Sequence, residues 1–177
     1  MSRVDALFDE LATLQAERRL PPVEHWHPER EGRIDIRIDR DGGWYHEGTP
    51  ILRQPLVRLF STILRKDADG FCLVTPAERL LIEVEDAPFV AIDLEIKGQG
   101  QAQQLLFVTN VDDYIVADES HPLRVDGLPD RPRPYVRVRG GLDALIGRPV
   151  YYRLVEASEA ATDGHWLWSS GSRFRLG

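Results

Sequence analysis

The residues best suited to ligand chemistry lie in the segment from Pro134 to Arg139. Tyr135, Arg137 and Arg139 alternate there with valines, so a β-strand would place the ring and both guanidinium groups on one face. Guanidinium groups beside an aromatic ring offer forked donors that hold a phosphate, a carboxylate or a flat ligand. The alternative is a solvated strand face whose arginines pair with the acidic residues that the chain has in excess.

A second candidate is the loop that follows Val84. Glu85 and Asp86 stand at the end of a predicted strand, and Pro88 restricts the backbone after them. Such a carboxylate pair can bind a cationic ligand or a metal, although a simple turn explains Asp86 without any ligand. We expect Arg53 to join the arginines of the first candidate only if the two halves of the chain fold against each other.

Possible metal ligands occur around Asn110, where Asp112 and Asp113 follow and His121 lies downstream. Their oxygen and nitrogen atoms suit a hard or borderline cation. The spacing matches no known metal-binding loop, and a turn that uses aspartate and asparagine side chains explains it equally well. A metal-assisted hydrolase that uses Asp112, Asp113 and His121 is therefore an alternative, and no metal site is predicted.

Motifs of established enzyme classes are absent. The sequence contains no GxSxG elbow, no phosphate-binding glycine-rich loop, no HExxH and no motif centred on a nucleophilic cysteine. No cofactor is predicted either. The sequence thus favours a binding protein over an enzyme.

Composition limits the class of protein further. The chain has 177 residues and a formal net charge of −7, which suits one core or two small subdomains and argues against general nucleic-acid binding. Cys72 is the only cysteine of the sequence, so no intramolecular disulfide can form and a cytoplasmic location is favoured. We expect neither export nor a membrane span, since no apolar stretch is long enough.

The pattern of apolar residues predicts how these groups are positioned. Val4, Leu7, Phe8 and Leu11 recur at helical spacing, which predicts a helix over residues 3–19 that Pro21 ends. The predicted organisation is an N-terminal helix and linker over residues 1–32, a first α+β half over 33–100 and a second α+β half over 101–177.

Period-two alternation predicts that both halves are mainly antiparallel β-structure. Strands are predicted at residues 33–39, 71–75, 80–85, 89–96, 104–110, 114–117, 134–139, 150–155, 165–168 and 173–176. Helical spacing predicts a helix that begins at Pro55 and continues up to a break at Asp69-Gly70. Residues 142–146 are predicted to form one or two helical turns, and the strand after them to direct Tyr152 and Leu154 inward. A predicted strand ends in Gly-Gly in each half, and this internal similarity is too weak to establish a repeat.

Several blocks of the sequence resemble one bacterial family, catalogued as domain of unknown function 1285. The blocks that carry the resemblance are Asp35–Gly48, Leu73–Glu78, Val84–Val90, Thr109–Asp113 and Val138–Leu142. The resemblance runs from about residue 20 to the C-terminus. It implies two similar α+β halves, the second of them loosely like a pleckstrin-homology barrel, with a ligand site between the halves and a role in signal transduction. It implies no catalytic residues.

These observations lead to three hypotheses about function. The first is a non-enzymatic binding or regulatory module, in which a crevice between two halves receives a small anionic molecule or a peptide. Its predicted ligand residues are Tyr135, Arg137, Arg139, Glu85, Asp86 and Arg53. The second is the metal-assisted hydrolase. The third is a protein-interaction scaffold that docks through the N-terminal helix.

Overall fold

A computed structural model of the protein describes residues 20–177. These residues form two compact units, one made of residues 20–88 and 140–142 and the other of residues 89–139 and 143–177. The helix predicted for residues 3–19 lies outside the described residues.

The first unit contains a six-stranded sheet and one α-helix. A short 3-10 turn at Val23–His25 precedes the sheet. The elements that follow are β1 (Arg30–Ile38), β2 (Trp44–His46), β3 (Thr49–Pro50), α1 (Gln54–Thr62), β4 (Leu64–Asp67), β5 (Gly70–Val74) and β6 (Glu78–Val84). In the sheet the strands lie in the order β3-β2-β1-β6-β5-β4.

A second six-stranded sheet follows in the chain. Its strands are β7 (Phe89–Lys97), β8 (Gln104–Thr109), β9 (Tyr114–Val116), β10 (Leu123–Leu128), β11 (Arg131–Arg139) and β12 (Leu142–Ile146), in the order β10-β11-β12-β7-β8-β9. After it come α2 (Arg148–Ala157) and a three-stranded sheet of β13 (Glu159–Ala161), β14 (Gly164–Ser169) and β15 (Ser172–Arg175). A 3-10 turn at Gly100–Ala102 separates β7 from β8.

The two six-stranded sheets share one topology. In each, the first three strands form one side, the last three form the other, and the first and last strands are neighbours. This confirms the prediction of two similar β-rich halves. The first and last strands, β1 with β6 and β7 with β12, run parallel. The prediction of antiparallel halves is wrong at these two pairs, because alternation within a strand reveals which face is buried but not the direction of a distant partner.

Two predicted elements are wrong between residues 142 and 157. The predicted helical turns at 142–146 are strand β12, whose Leu142, Ala144 and Ile146 alternate as buried residues while it pairs with β7. The predicted strand at 150–155 lies in helix α2, where Val150 and Leu154, four positions apart, are the buried residues. Both segments are so short that their apolar residues fit a strand or a helix equally well. Pairing with β7 makes the first of them a strand.

The helices of the described residues are short. Helix α1 has nine residues and α2 has ten, and each carries a proline in its first turn, where the missing N–H costs no hydrogen bond. Within residues 20–177, no helix is long and apolar enough to cross a membrane.

Helix α1 packs against the first sheet through an aromatic pair. Trp44 is 3% exposed, and its ring stacks on Phe60 with centroids 6.2 Å apart and planes inclined by 21°. The indole Nε1 of Trp44 has no hydrogen-bond partner among the described residues. A buried donor without a partner costs stability, about 1–3 kcal/mol, so the tryptophan contributes here through its volume and its ring contact.

We predict that Trp44→Phe destabilises the protein far less than Trp44→Ala. Alanine should cost roughly 3–5 kcal/mol by opening a cavity, whereas phenylalanine keeps the aromatic contact and removes the unpaired N–H. Urea unfolding followed by circular dichroism measures both. Trp166→Phe is the control, because the Nε1 of Trp166 donates to Asp163 at 2.9 Å. Equal losses for the two Trp44 variants would contradict the prediction.

Candidate functional site

Strands β10 to β12 bring a set of charged and aromatic side chains together, which we call the arginine face. It consists of Arg124, Asp126, Arg133, Tyr135, Arg137 and Asp143. Antiparallel pairing of β10 with β11 sets Arg124 opposite Tyr135, and residues opposite each other in a sheet have side chains close enough to interact. The face thus contains two of the predicted ligand residues, Tyr135 and Arg137.

The ring of Tyr135 is the centre of the arginine face. It is 2% exposed, because guanidinium groups cover it: the Cζ of Arg124 lies 4.4 Å from the ring centre and that of Arg133 lies 5.9 Å from it. Arg133 Nε also donates to the Tyr135 hydroxyl at 3.1 Å. Cation–π attraction and this hydrogen bond therefore hold both guanidinium groups against one ring.

Asp143 joins two arginines of the face. Its side chain is 13% exposed, and it accepts from Arg124 Nη1 at 2.5 Å and from Arg137 Nε at 2.6 Å. Arg124 Nε donates to Asp126 at 3.0 Å. Burial opposes the charged form of Arg124, but its hydrogen bonds to Asp143 and Asp126 outweigh this and raise its pKa. Three guanidinium groups and two carboxylates leave the face one net positive charge in an acidic protein.

Arg139 makes a different set of contacts. Its Nη1 donates to Asp113 at 2.9 Å, and the side chain of Asp113 is fully buried. The Cζ of Arg139 lies 5.3 Å from the ring centre of Phe89. A buried carboxylate requires such a partner, because an unpaired charge in the interior is very costly. Arg139 thus neutralises Asp113 within the fold.

The residues of the hydrolase hypothesis do not form a metal site in the structure. Asp113 is paired with Arg139, Asp112 lies in a turn with a positive φ of 62°, and His121 Nδ1 lies 3.2 Å from the carbonyl oxygen of Arg137. Across residues 20–177, no three histidine, cysteine, aspartate or glutamate side chains are placed to hold a metal ion.

The other predicted ligand residues belong to the first unit. Glu85 is exposed and accepts from Arg37 Nη1 at 2.8 Å and from the backbone N–H of Arg40 at 3.1 Å. Asp86 is half-buried. Arg53 is exposed at the start of α1, where its carbonyl oxygen accepts from the first helical turn. Within this unit, the fold therefore gives Glu85 an arginine partner.

The first unit also contains a polar cavity of about 360 Å³, which we call the Arg79 cavity. The lining residues that matter for its chemistry are His27, Glu31, Arg65, Asp67, Asp69 and Arg79. The side chain of Arg79 is only 9% exposed. Its Nε donates to Asp67 at 2.7 Å and its Nη2 to Asp69, while Nη1 lies 3.8 Å from Glu31. The cavity is thus built around a buried, oriented guanidinium group.

Asp67 and Arg65 hold the wall of this cavity in place. Arg65 donates to both carboxylate oxygens of Asp67, at 2.8 and 2.9 Å, and its Nη1 donates to the carbonyls of Val23 and Trp26 at 2.7 Å. One arginine therefore ties the segment before β1 to strand β4. The hydrogen bonds from Arg65 lower the pKa of Asp67; burial opposes this, and Arg79 adds to the lowering.

Cys72 lies beside this ion pair as a neutral group. It is fully buried, and its Sγ lies 3.6 Å from Asp67 Oδ2 and 3.6 Å from the carbonyl oxygen of Arg65. Burial raises the pKa of the thiol, and the neighbouring charge of Asp67 raises it further. A thiol that stays protonated is a poor nucleophile.

Reasoning from the sequence missed the Arg79 cavity. Arg65, Asp67 and Asp69 alternate immediately before Gly70, which is the period-two pattern of a strand that enters a turn. The prediction of a helix up to the break at Asp69-Gly70 is wrong beyond Thr62, because Leu64–Asp67 form strand β4. Glu31 and Arg79 lie far apart in the chain, and only the pairing of β1 with β6 makes them neighbours in register.

We predict that Asp67→Asn destabilises the protein by roughly 3 kcal/mol, because it leaves two partly buried guanidinium groups without their shared carboxylate. Because folding lowers the pKa of Asp67, its carboxylate contributes fully to the free energy of unfolding above pH 3.8, the ordinary pKa of the group. That contribution is lost as the pH falls through the lower pKa of the folded state. Urea unfolding across this pH range should show that loss in the wild type and not in the variant. Asp69→Asn, at a side chain 54% exposed, is the control and should cost about 1 kcal/mol or less. Equal effects of the two substitutions would contradict the prediction.

Solved structures match this fold. A crystal structure of a DUF1285 family protein from Silicibacter pomeroyi DSS-3 is 48% identical in sequence, with a TM-score of 0.85 over 94% of this chain and 93% of that chain. A DUF1285 family protein from Shewanella baltica OS155 is 27% identical, with a TM-score of 0.54 over 69% of this chain and 91% of that chain. No curated protein matches the sequence.

Family models match nearly all of the described residues. The model of the DUF1285 N-terminal domain, a domain of unknown function, covers residues 21–87. The model of the DUF1285 C-terminal domain covers residues 88–176. The resemblance noted from the sequence is thereby confirmed, and the chain belongs to the DUF1285 family.

Proposed function

We propose that this protein is a non-enzymatic binding module that holds a small molecule bearing a carboxylate or phosphate on its arginine face. The observation that carries the proposal is the arrangement of Arg124 and Arg137 on Asp143. Arg124 is held between the Tyr135 ring and two carboxylates, so its donors have fixed directions before any ligand arrives. Fixing donors in advance removes part of the entropy cost of binding.

The exposure of these side chains supports binding of an anion from solvent. The side chains of Arg124 and Arg137 are 46% and 39% exposed, whereas that of Asp143 is 13% exposed. An anion can therefore approach the outer N–H groups while Asp143 keeps the two guanidinium groups in place. A flat ligand can also stack on the side of Arg124 that faces away from Tyr135. The net positive charge of the face favours the anion over a cation.

The family resemblance and the sequence support finer parts of this proposal. A regulatory role in signal transduction fits a binding module without catalytic motifs, and the lone cysteine Cys72 fits the cytoplasm. The second six-stranded sheet is followed by helix α2, an order of elements that suits a pleckstrin-homology-like half. Of the predicted ligand residues, Arg137 belongs to the arrangement that carries the proposal and Tyr135 holds Arg124 in place, while Arg139, Glu85, Asp86 and Arg53 stay predicted ligand residues.

We predict that pyrophosphate or citrate raises the melting temperature of the full chain at low salt and that Arg124→Gln removes this effect. A ligand at ten times its Kd should stabilise the protein by about 1.4 kcal/mol, or roughly 3–6 °C for a chain of this size. Added salt should weaken the effect, since the contacts are ionic. Arg137→Gln should reduce the shift as well.

Arg153→Gln is the matched control. Arg153 has the same 46% exposure as Arg124 and one ion pair, to Asp93 at 3.1 Å, but lies on helix α2 outside the arginine face. It should leave the ligand-induced shift unchanged. If neither anion shifts the melting temperature, or if Arg153→Gln abolishes the shift as fully as Arg124→Gln, the proposal is refuted. Binding of an acidic peptide in place of the small anions would also refute it and would favour a protein partner.

A further inference from the structure

The Arg79 cavity has the features of a second ligand site, separate from the arginine face. Its lining residues all belong to the first unit, between the segment that carries His27 and the strands that carry Arg65 and Arg79. Its volume of about 360 Å³ lies at the lower end of the range for small-molecule sites. A ligand of modest size is therefore the appropriate occupant.

The guanidinium group of Arg79 is buried but incompletely bonded. Two of its nitrogens donate to Asp67 and Asp69, whereas Nη1 has Glu31 at 3.8 Å as its carboxylate contact, beyond hydrogen-bond distance. Among the described residues, Nη1 thus makes no direct hydrogen bond to a carboxylate. A buried cation gains strongly from a bidentate or close oxyanion contact, so a carboxylate fits at Nη1.

The carboxylates beside the two terminal nitrogens of Arg79 favour a positively charged group in the same ligand. The side chains of Asp69 and Glu31 are 54% and 65% exposed, and both lie against the terminal nitrogens of Arg79. Together with Asp67 they give three carboxylates against the two guanidinium groups of Arg65 and Arg79. A simple anion would add to this negative excess, and a simple cation would face the positive end of Arg79.

We propose that the Arg79 cavity binds a small zwitterion of the α-amino-acid class. The ligand carboxylate accepts from Arg79 Nη1, and the ligand ammonium donates to Asp69 and Glu31. This arrangement gives Nη1 a hydrogen-bond acceptor and sets the ammonium beside the two exposed carboxylates, without adding to the negative excess of the cavity. The site does not depend on the arginine face, so either proposal can fail without the other.

The test is titration calorimetry of the full chain with each of the twenty proteinogenic amino acids in free form, the chiral ones as L-enantiomers, at low ionic strength. At least one should bind. Its N-acetyl derivative, which lacks the ammonium, and its carboxamide, which lacks the carboxylate, should each lose about tenfold or more in affinity. This loss is expected because each derivative leaves charged groups of the cavity without a partner.

Variants locate the binding in the cavity. Glu31→Gln and Asp69→Asn change exposed side chains, so the fold should persist, and each should weaken binding of the amino acid. Arg79→Gln should abolish it, and circular dichroism establishes whether that variant folds. Glu83→Gln is the matched control, since Glu83 is exposed on the same strand as Arg79 but does not line the cavity. It should bind as the wild type does.

Four outcomes would overturn the proposal. The first is that none of the amino acids binds. The second is that N-acetyl derivatives bind as well as the free amino acid, which would indicate a simple anion site. The third is that carboxamides bind equally well, which would indicate a simple cation site. The fourth is that Glu31→Gln and Asp69→Asn leave the affinity unchanged, which would place the bound amino acid elsewhere on the protein.

Discussion

Each six-stranded sheet depends on parallel pairing between its first strand and its last. Parallel neighbours require a long crossover, and here the four intervening strands provide it. The pairing of β1 with β6 sets Glu31 beside Arg79, and the pairing of β7 with β12 sets Ala144 beside Phe89. In the first sheet the Arg79 cavity exists because the pairing of β1 with β6 joins the two groups of three strands at the position of the buried Arg79. Without it, the two groups of three strands would not be joined in one sheet by backbone hydrogen bonds, and Glu31 would not be held in register beside its partner.

The two candidate sites share one arrangement of charges, a carboxylate that accepts hydrogen bonds from two arginines. Asp67 accepts from Arg65 and Arg79 in the first unit, and Asp143 accepts from Arg124 and Arg137 in the second. A carboxylate shared by two arginines restricts both guanidinium groups and leaves some of their N–H groups for a further acceptor. The surroundings differ. The cavity places acidic side chains next to its arginine, which favours a zwitterion, whereas the arginine face keeps a net positive charge, which favours an anion.

Family membership establishes the fold of this chain but not its function, since one fold serves many functions. Function has to be argued from the individual sites. The described residues contain a buried neutral thiol at Cys72, a neutralised Asp113 and no three side chains placed for a metal ion. Both proposals rest instead on oriented guanidinium and carboxylate groups, which recognise charged ligands.

The amino-acid sequence by itself determined the β-rich character of both halves, helix α1 and the family, because alternation, a proline in a first helical turn and long blocks of sequence are local signals. It also indicated that Tyr135 and Arg137 share a strand face. Tertiary structure decided what alternation cannot encode: the parallel direction of β1 with β6, the strand at residues 142–146, the helix at 148–157 and the partner of each arginine. Arg137 and Arg139 look equivalent in the sequence, yet one shares Asp143 on the surface and the other neutralises the buried Asp113. The physical reason is that an ion pair depends on distances between strands that are remote in sequence, and those distances arise only when the sheet forms.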